Sequence, residues 1–271
     1  MKIQTYIIDA FTNTPFKGNP AAVCLLERPI PEETMQSIGS EMNLSETAFI
    51  WQAGKDNKIF NIRYFTPKAE IPFCGHATLA SAKLLQDMYA FRELQFITHH
   101  DLAIAVVLEG KKIKMQFPNY QQTPYTVSET LCKGLGIASY AYAGYNADLA
   151  MVVIEVSDIE IVKNLRPDFS LLLQDQSGVK EVVVTASALA SPYDFMSRCF
   201  CPWLGINEDP VTGAAHAVLA RYWQARLQKS TLLAYQASQR GGSMAIEILS
   251  EAHILVTGEA VIVLRGELDM P

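Results

Sequence analysis

Two stretches decide how this chain is read. The first is Arg63-Tyr64-Phe65-Thr66-Pro67, followed by Glu70-Ile71-Pro72-Phe73-Cys74-Gly75-His76-Ala77. The second is Arg198-Cys199-Phe200-Cys201-Pro202, followed by Glu208-Asp209-Pro210-Val211-Thr212-Gly213-Ala214-Ala215. The R-x-F-x-P blocks are offset by 135 residues (63 to 198), and the E-x-P-x-x-G-x-A blocks by 138 (70 to 208). A three-residue insertion in the second copy reconciles the two offsets. Both offsets are close to half of 271 residues, far too long for a solenoid period. They imply two similar halves, each within the usual domain size range.

The surroundings of the two blocks agree. Ile59–Phe65 and Tyr193–Phe200 read as strands rich in β-branched and aromatic residues. Prolines then break the strand. Gly75 opens a helix carrying Ala77, Leu79, Ala80, Ala82, Leu84 and Leu85, and Gly213 opens another over Ala214–Ala225. The first is apolar around most of its circumference, so it must be buried nearly all round. Further strands are expected at Ile3–Ile8, Ala21–Leu26, Glu46–Trp51, Leu94–Thr98, Leu102–Leu108, Ile113–Phe117, Ala150–Glu155, Glu181–Thr185, Leu232–Ala237, Met244–Leu249, Ile254–Thr257 and Ala260–Leu264. Helices are expected from Pro31 to Met42 and near Val127–Leu135. Many strands and few helices point to α+β rather than a doubly wound sheet. Gly134-Leu135-Gly136 reads as a helix end, not a dinucleotide loop.

Composition excludes several classes. Hydrophobic residues make up 49% and charged residues 18%, against roughly 25% in soluble domains generally. The longest apolar run, Leu102–Leu108, is seven residues, where a spanning helix needs about 20. The polar Gln4, Thr5 and Asp9 argue against a secretory leader, so a cytoplasmic protein without membrane partners is expected. Twenty-two basic against 28 acidic residues give a net charge of −6, which argues against nucleic acid. The five cysteines contain no CxxC and the five histidines no HxxxH, so local spacing builds no metal site. The sequon Asn43-Leu44-Ser45 is read as chance.

A helix N-terminus presents unpaired N–H groups and the positive end of the helix dipole. With glycine at that point, an anion can approach the backbone closely. Two such ends, at Gly75 and Gly213, would suit a small carboxylate and the negative charge that develops when an adjacent carbon loses a proton. They are also compatible with ordinary helix starts after prolines. Cys74 and His76 flank the first glycine, and Asp209 lies four residues before the second. Glu46 begins an apolar strand, where burial would raise its pKa toward the range of a general acid/base.

The ordered blocks carry a resemblance. They are Asp9-Ala10-Phe11-Thr12, Phe16-Lys17-Gly18-Asn19-Pro20-Ala21-Ala22-Val23, Glu41-Met42-Asn43-Leu44-Ser45-Glu46-Thr47-Ala48-Phe49, Phe65-Thr66-Pro67, Cys74-Gly75-His76-Ala77-Thr78-Leu79-Ala80, Pro202-Trp203-Leu204-Gly205, Glu208-Asp209-Pro210-Val211-Thr212-Gly213 and Gln239-Arg240-Gly241-Gly242. Across nearly the whole chain the sequence resembles the PhzF-like family, named for a phenazine-biosynthesis isomerase, within the diaminopimelate-epimerase fold. The resemblance implies two pseudo-symmetric halves, each a β-barrel-like sheet around a central helix, with the active site in the cleft between them. The expected halves are 1–120, with about 259–271 as a candidate last strand, and 121–258.

The function so implied is a cofactor-independent isomerase or epimerase that moves a proton between carbons of a small carboxylate. Glu46 would be the general acid/base, with His76 and Asp209 as the other catalytic residues. Gly75, Gly213, Ala214, Cys74, Thr212 and Asn19 are the substrate-binding candidates. Neither a metal nor an organic cofactor is expected, and a homodimer is. Two departures stand out. Thr212 occupies the place of the second cysteine of epimerase relatives, and a threonine hydroxyl is too weakly acidic to act as that base. Ala214 stands where the family frequently has serine. Cys74 reads first as a packing residue and second as a partner of Glu46. The alternatives are a non-catalytic binding or regulatory protein that retains the fold, and a one-thiol epimerase using Cys74.

Overall fold

The computed structural model describes residues 2–270. The elements run β1 (Lys2–Ala10), β2 (Asn19–Leu25), α1 (Glu32–Met42), β3 (Glu46–Gln52), β4 (Ile59–Phe65), β5 (Glu70–Ile71), α2 (Gly75–Tyr89), β6 (Glu93–Thr98), β7 (Ala103–Glu109) and β8 (Lys112–Pro118). They continue with β9 (Thr123–Pro124), α3 (Glu129–Leu135), β10 (Tyr142–Asn146), β11 (Met151–Glu155), α4 (Ile159–Asn164), α5 (Phe169–Leu172), β12 (Glu181–Ser187) and β13 (Phe195–Cys201). The last are β14 (Ile206–Asp209), α6 (Gly213–Leu227), β15 (Thr231–Gln236), β16 (Gly242–Ile248), β17 (His253–Gly258) and β18 (Ala260–Asp269). Two compact units result, Met1–Gln116 with Val256–Pro271, and Phe117–Leu255.

In the first unit β1 to β4, then β6 and β7, pair in that order, and the partners alternate antiparallel, parallel, antiparallel, parallel, antiparallel. In the second, β10 to β13, then β15 and β16, repeat the same alternation. Each parallel step needs a crossover, and helices supply it. Helix α2 links β4 to β6 just as α6 links β13 to β15. The internal repeat is therefore a repeat of topology as well as of sequence. β18 completes the first unit by running antiparallel along β1, from Lys2↔Asp269 to Ala10↔Ala260.

The repeated arginine and glutamate explain why their spacing matters. Arg63 Nε and Nη2 donate to the two carboxylate oxygens of Glu70 at 2.7 and 2.6 Å. Arg198 Nε and Nη2 donate to Glu208 at 2.7 and 2.8 Å. Each guanidinium also lies over the phenylalanine two residues on, Phe65 at 5.3 Å and Phe200 at 5.0 Å. This bidentate fork ties β4 to β5 and β13 to β14, and so aims the loop that enters each central helix. The insertion in the second copy forms a 3₁₀ turn at Pro202–Leu204.

Both central helices are buried along most of their length: in α2 the run His76–Ala82 is wholly buried, and in α6 the run Ala215–Ala220. Trp223 is fully buried and stacks on Phe195 at 5.4 Å. Satellite cores lie under the flanking helices. In the first unit Met35 and Ile38 of α1 pack with Phe49 and Phe65. In the second, Leu131, Val162 and Leu172 of α3, α4 and α5 pack with Val182 and Phe200.

Some elements differ from the sequence expectation. Pro31 is the N-cap of α1, and α3 starts at Glu129, because Ser128 caps it by accepting from Leu131 N–H. Gly136 ends α3 with φ 71°, as the Gly-Leu-Gly reading required. Six elements were not expected: the short strands β5, β9 and β14, and β10, α4 and α5. Tyr-Ala-Gly-Tyr-Asn has no β-branched residue and a central glycine, so β10 depends on its partners. Helices α4 and α5 span six and four residues, too short to show a 3.6-residue period, although Asp158 and Asp168 cap both.

Gly18 precedes β2 with φ 65°, and a Cβ there would meet Ala10 O at 2.1 Å. Gly18→Ala is expected to destabilise the protein by about 1–3 kcal/mol. It should also displace the neighbouring Asn19. Urea denaturation measures the first effect.

Candidate active site

In the first unit the strand pattern sets the site. β2 and β3 pair in parallel with Ala21 opposite Glu46, so Asn19 and Glu46 sit at neighbouring strand starts. Cys74, extended at φ −145°, is the N-cap of α2, and Gly75 and His76 are its first two residues. The four side chains converge on one imidazole. His76 Nε2–H donates to Glu46 Oε2 at 3.1 Å. Asn19 Nδ2 lies 3.2 Å from Nδ1, and with the ring doubly protonated the amide turns over so that its oxygen takes that place and accepts. Cys74 Sγ is 3.4 Å from Nδ1 and 3.9 Å from Nε2, and Ser45 Oγ is 3.5 Å from Nε2. The His76 side chain is 7% exposed and that of Glu46 14%, so solvent reaches mainly the carboxylate.

The electrostatics correct one expectation. Burial alone would push Glu46 up, but the imidazolium of His76 outweighs it and holds the carboxyl below its usual range. Burial likewise opposes charge on His76, yet the Glu46 carboxylate at 3.1 Å carries its pKa above the ordinary value. Burial raises Cys74, leaving a neutral thiol. The pair is thus a carboxylate beside an imidazolium, a base beside an acid.

Linkage fixes its pH window. The contribution of Glu46 is present above its unfolded pKa of 4.5 and is lost as pH falls through the lower folded value. The contribution of His76 is full below 6.5 and is lost as pH rises through the elevated folded value. The Cys74 sulfur lies against the ring, nearer Nδ1 than Nε2.

In the second unit Thr212 is the N-cap of α6, with Gly213 and Ala214 its first two residues. Asp209, at the end of β14, accepts the Thr212 hydroxyl on Oδ2. That hydroxyl is engaged by a carboxylate, which adds to the chemical case against a base at this position. Sequence reading missed Gln236. It is buried at the end of β15, accepts Thr212 N–H at 2.9 Å and donates to Asp209 O at 2.6 Å. Ser238 Oγ adds a bond to Pro210 O at 2.7 Å. Together they fix the loop 209–212. Its only sequence signal was a polar residue closing an otherwise apolar strand.

His216, one turn into α6, is buried and stacks on Phe195 at 5.9 Å. Its Nδ1–H donates to Thr212 O at 2.8 Å, and burial pushes its pKa down to about 4. A depressed folded pKa means that its stabilising contribution is full above 6.5 and falls as pH drops toward 4. His216→Gln is expected to remove about 3 kcal/mol of acid-induced loss over that interval. The check is denaturant stability of both proteins measured across it.

Two strand-wrapped helices, each entered through a glycine, define the class: an α+β protein of the diaminopimelate-epimerase-like fold, as expected. The chain belongs to the phenazine biosynthesis-like (PhzC-PhzF) family, which matches residues 8–266. It is 43% identical over 273 residues to an uncharacterized isomerase of Halalkalibacterium halodurans, covering 99% of both chains. It is 38% identical to phenazine biosynthesis-like domain-containing protein 1 of Mus musculus, again covering 99% of both. The crystal structure of a PhzF-family protein from Enterococcus faecalis superposes with a TM-score of 0.91 at 39% identity, covering all of both chains. A predicted epimerase from Pseudomonas aeruginosa shares the fold at a TM-score of 0.75 and 19% identity, covering 99% of this chain and all of that one. The protein is a PhzF-family isomerase. Among the described residues, no helix is long and apolar enough to cross a membrane.

Proposed function

We propose that this isomerase moves a proton between carbons of a small carboxylate without a metal or organic cofactor, with Glu46 as the general acid/base. The observation that carries the reading is Glu46 Oε2 at 3.1 Å from His76 Nε2 in a nearly buried site. Glu46 takes a proton from the carbon next to the carboxyl group. The negative charge passes to the carboxyl oxygens, where the imidazolium of His76 and the N–H groups at the start of α2 stabilise it. The proton then returns to another position from Glu46 or through His76. The ion pair that keeps Glu46 ionised also weakens it as a base. An anionic substrate beside His76 shares the imidazolium charge and so restores basicity when it is needed.

The roles of Asp209 in proton transfer, and of Thr212, Gly213 and Ala214 in binding, rest on the family resemblance and on their matched place in the second copy. Asn19 orients His76. The protein is taken to act as a cytoplasmic homodimer, without nucleic-acid or membrane partners.

Deuterium wash-in from D2O, followed by NMR across a library of small carboxylates, tests the reading. Exchange at a carbon adjacent to a carboxyl group, with appearance of an isomer, is expected. Carboxylates that bind but exchange at no carbon would overturn it in favour of a binding protein. The contact of Cys74 Sγ with Nδ1 at 3.4 Å favours a second reading, the one-thiol route. Loss of exchange in Cys74→Ala, with Glu46→Gln still active, would select it.

A further inference from the structure

We infer that Thr78 and His216 are positioning residues for the reaction, which strengthen and aim the first N–H group of each central helix, that of Gly75 in α2 and of Gly213 in α6. The inference rests on the proposed function, in which N–H groups at a helix start hold a carboxylate. Thr78 and His216 each stand four places after an N-cap, Cys74 in α2 and Thr212 in α6. They are 138 residues apart (78 to 216), the offset of the E-x-P-x-x-G-x-A blocks, so they are matched positions of the repeat. Thr78 Oγ1–H donates to Cys74 O at 2.7 Å, and His216 Nδ1–H donates to Thr212 O at 2.8 Å. The backbone N–H groups of the same two residues donate to the same carbonyls at 3.1 and 3.2 Å. Each N-cap carbonyl therefore accepts two bonds. Threonine bonds back in this way in many helices. A buried histidine doing the same at the matched place is the less ordinary observation.

Both bonds are fed from the strand that precedes the helix. The Tyr64 hydroxyl of β4 lies 2.6 Å from Thr78 Oγ1, and because the Thr78 proton is committed to Cys74 O, Tyr64 is the donor. Ser197 Oγ of β13 lies 3.5 Å from His216 Nε2, and because Nδ1 carries the proton of the neutral ring, Ser197 is the donor. The donors run in one sense in both units: strand hydroxyl, helix side chain, N-cap carbonyl. Tyr64, Thr78, Ser197 and His216 are all buried, and in such a medium each bond of a chain strengthens the next. Cys74 C=O and Gly75 N–H belong to one peptide unit, as do Thr212 C=O and Gly213 N–H. Bonds accepted at the oxygen polarise the peptide and make its N–H a stronger donor. That N–H has no partner within its own helix, so the polarisation is delivered to whatever lies in front of it. A carboxylate gains most from it as negative charge grows on its oxygens, when the adjacent carbon loses its proton. The relay therefore favours the transition state over the bound substrate.

The test compares Thr78→Val, which keeps the shape and removes the hydroxyl, with Thr78→Ser, which keeps the hydroxyl, in the full-length protein. NMR without substrate should show the Gly75 amide proton moved upfield in Thr78→Val and restored in Thr78→Ser. On a small carboxylate that the wild type exchanges in D2O, Thr78→Val should lower kcat about 2–10-fold with KM changed less than about twofold, and Thr78→Ser should recover kcat. Tyr64→Phe should shift both readouts in the same direction by less. In the second unit His216→Leu should move the Gly213 amide upfield, and His216→Asn, whose amide reaches the same carbonyl, should restore it. A Gly75 amide unmoved in Thr78→Val, or wild-type kcat on an exchanged substrate, overturns the inference. So do equal losses in Thr78→Val and Thr78→Ser, which mark a packing role. Should Thr78→Val not fold, Tyr64→Phe decides by the same two readouts. If the wild type exchanges no carboxylate, the proposed function falls by itself: upfield amide shifts then sustain the relay, and unmoved amides overturn it.

Discussion

Replacing Glu46 with glutamine lowers the rate of carbon-bound hydrogen exchange by about 10²–10⁴-fold, the range over which a positioned general base contributes. Glutamine has nearly the same shape and its amide oxygen still accepts from His76 Nε2–H, so the fold should persist. It cannot take a proton. The variant carries an internal control, because without the carboxylate burial is less opposed at His76. The imidazole pKa should therefore drop, and NMR titration of its ring protons reads that drop independently of any substrate. In the wild type the rate should follow a bell against pH. Its acid limb should lie below 4.5, where Glu46 protonates, and its alkaline limb above 6.5, where His76 loses its proton. A variant that exchanges as fast as wild type on a substrate that is turned over removes Glu46 from the mechanism.

The largest stability effect is expected from Arg198→Met. Arg198 is buried and its Nη1 donates to Leu165 O at 2.9 Å in addition to the fork on Glu208. Methionine fills part of the volume but leaves the Glu208 carboxylate, whose side chain is only 19% exposed, without its counter-charge. It also removes one of the two side-chain donors to the Leu165 carbonyl, which keeps Arg166 Nη1 at 2.9 Å. Breaking a buried pair from one side costs about 3–5 kcal/mol. Arg63→Met should cost about 1–2 kcal/mol less, since the further partner of Arg63 is the exposed carboxylate of Glu32 rather than a buried carbonyl. The exposed pair Lys2–Glu267 at 2.7 Å serves as reference, and Lys2→Met should change stability by less than about 1 kcal/mol. Urea denaturation of the three variants gives the ranking. Equal losses from Arg198 and Lys2 would refute the structural role of the fork.

What could be read from sequence depended on how far apart the partners lie. Arg63 and Glu70 lie seven residues apart and Arg198 and Glu208 ten, so each bidentate fork leaves a short-range arginine–glutamate pair that recurs in the same order despite the insertion. Gly75 and Gly213 were legible for the same reason, as prolines and an apolar helical run surround both. Glu46 could be nominated as an acid at a strand start, but its lowered pKa could not. That depends on His76, thirty residues on and brought close by the pairing of β2 with β3 and by the seating of α2. Cys74 was read first as packing because its contact with a ring is a matter of rotamer, not of spacing. Gln236 was missed because everything it holds lies some 25 residues upstream. The strand β10 and the helices α4 and α5 were missed because tertiary partners, rather than local period, hold them.

The late arrival of β18 has a consequence for biosynthesis. β1 is made before every other described strand, yet β18, which covers one of its edges, is made after them all. About 140 residues separate Pro118 from Ala260, so at roughly 5–20 residues per second the nascent first unit waits on the order of 7–30 s with that edge uncovered. During that interval β1 is a template open to any passing strand. The second unit is contiguous from Phe117 to Leu255, so its chain is made before β18. The second unit can therefore complete its sheet before the first, and a chaperone that shields strand edges would act on β1.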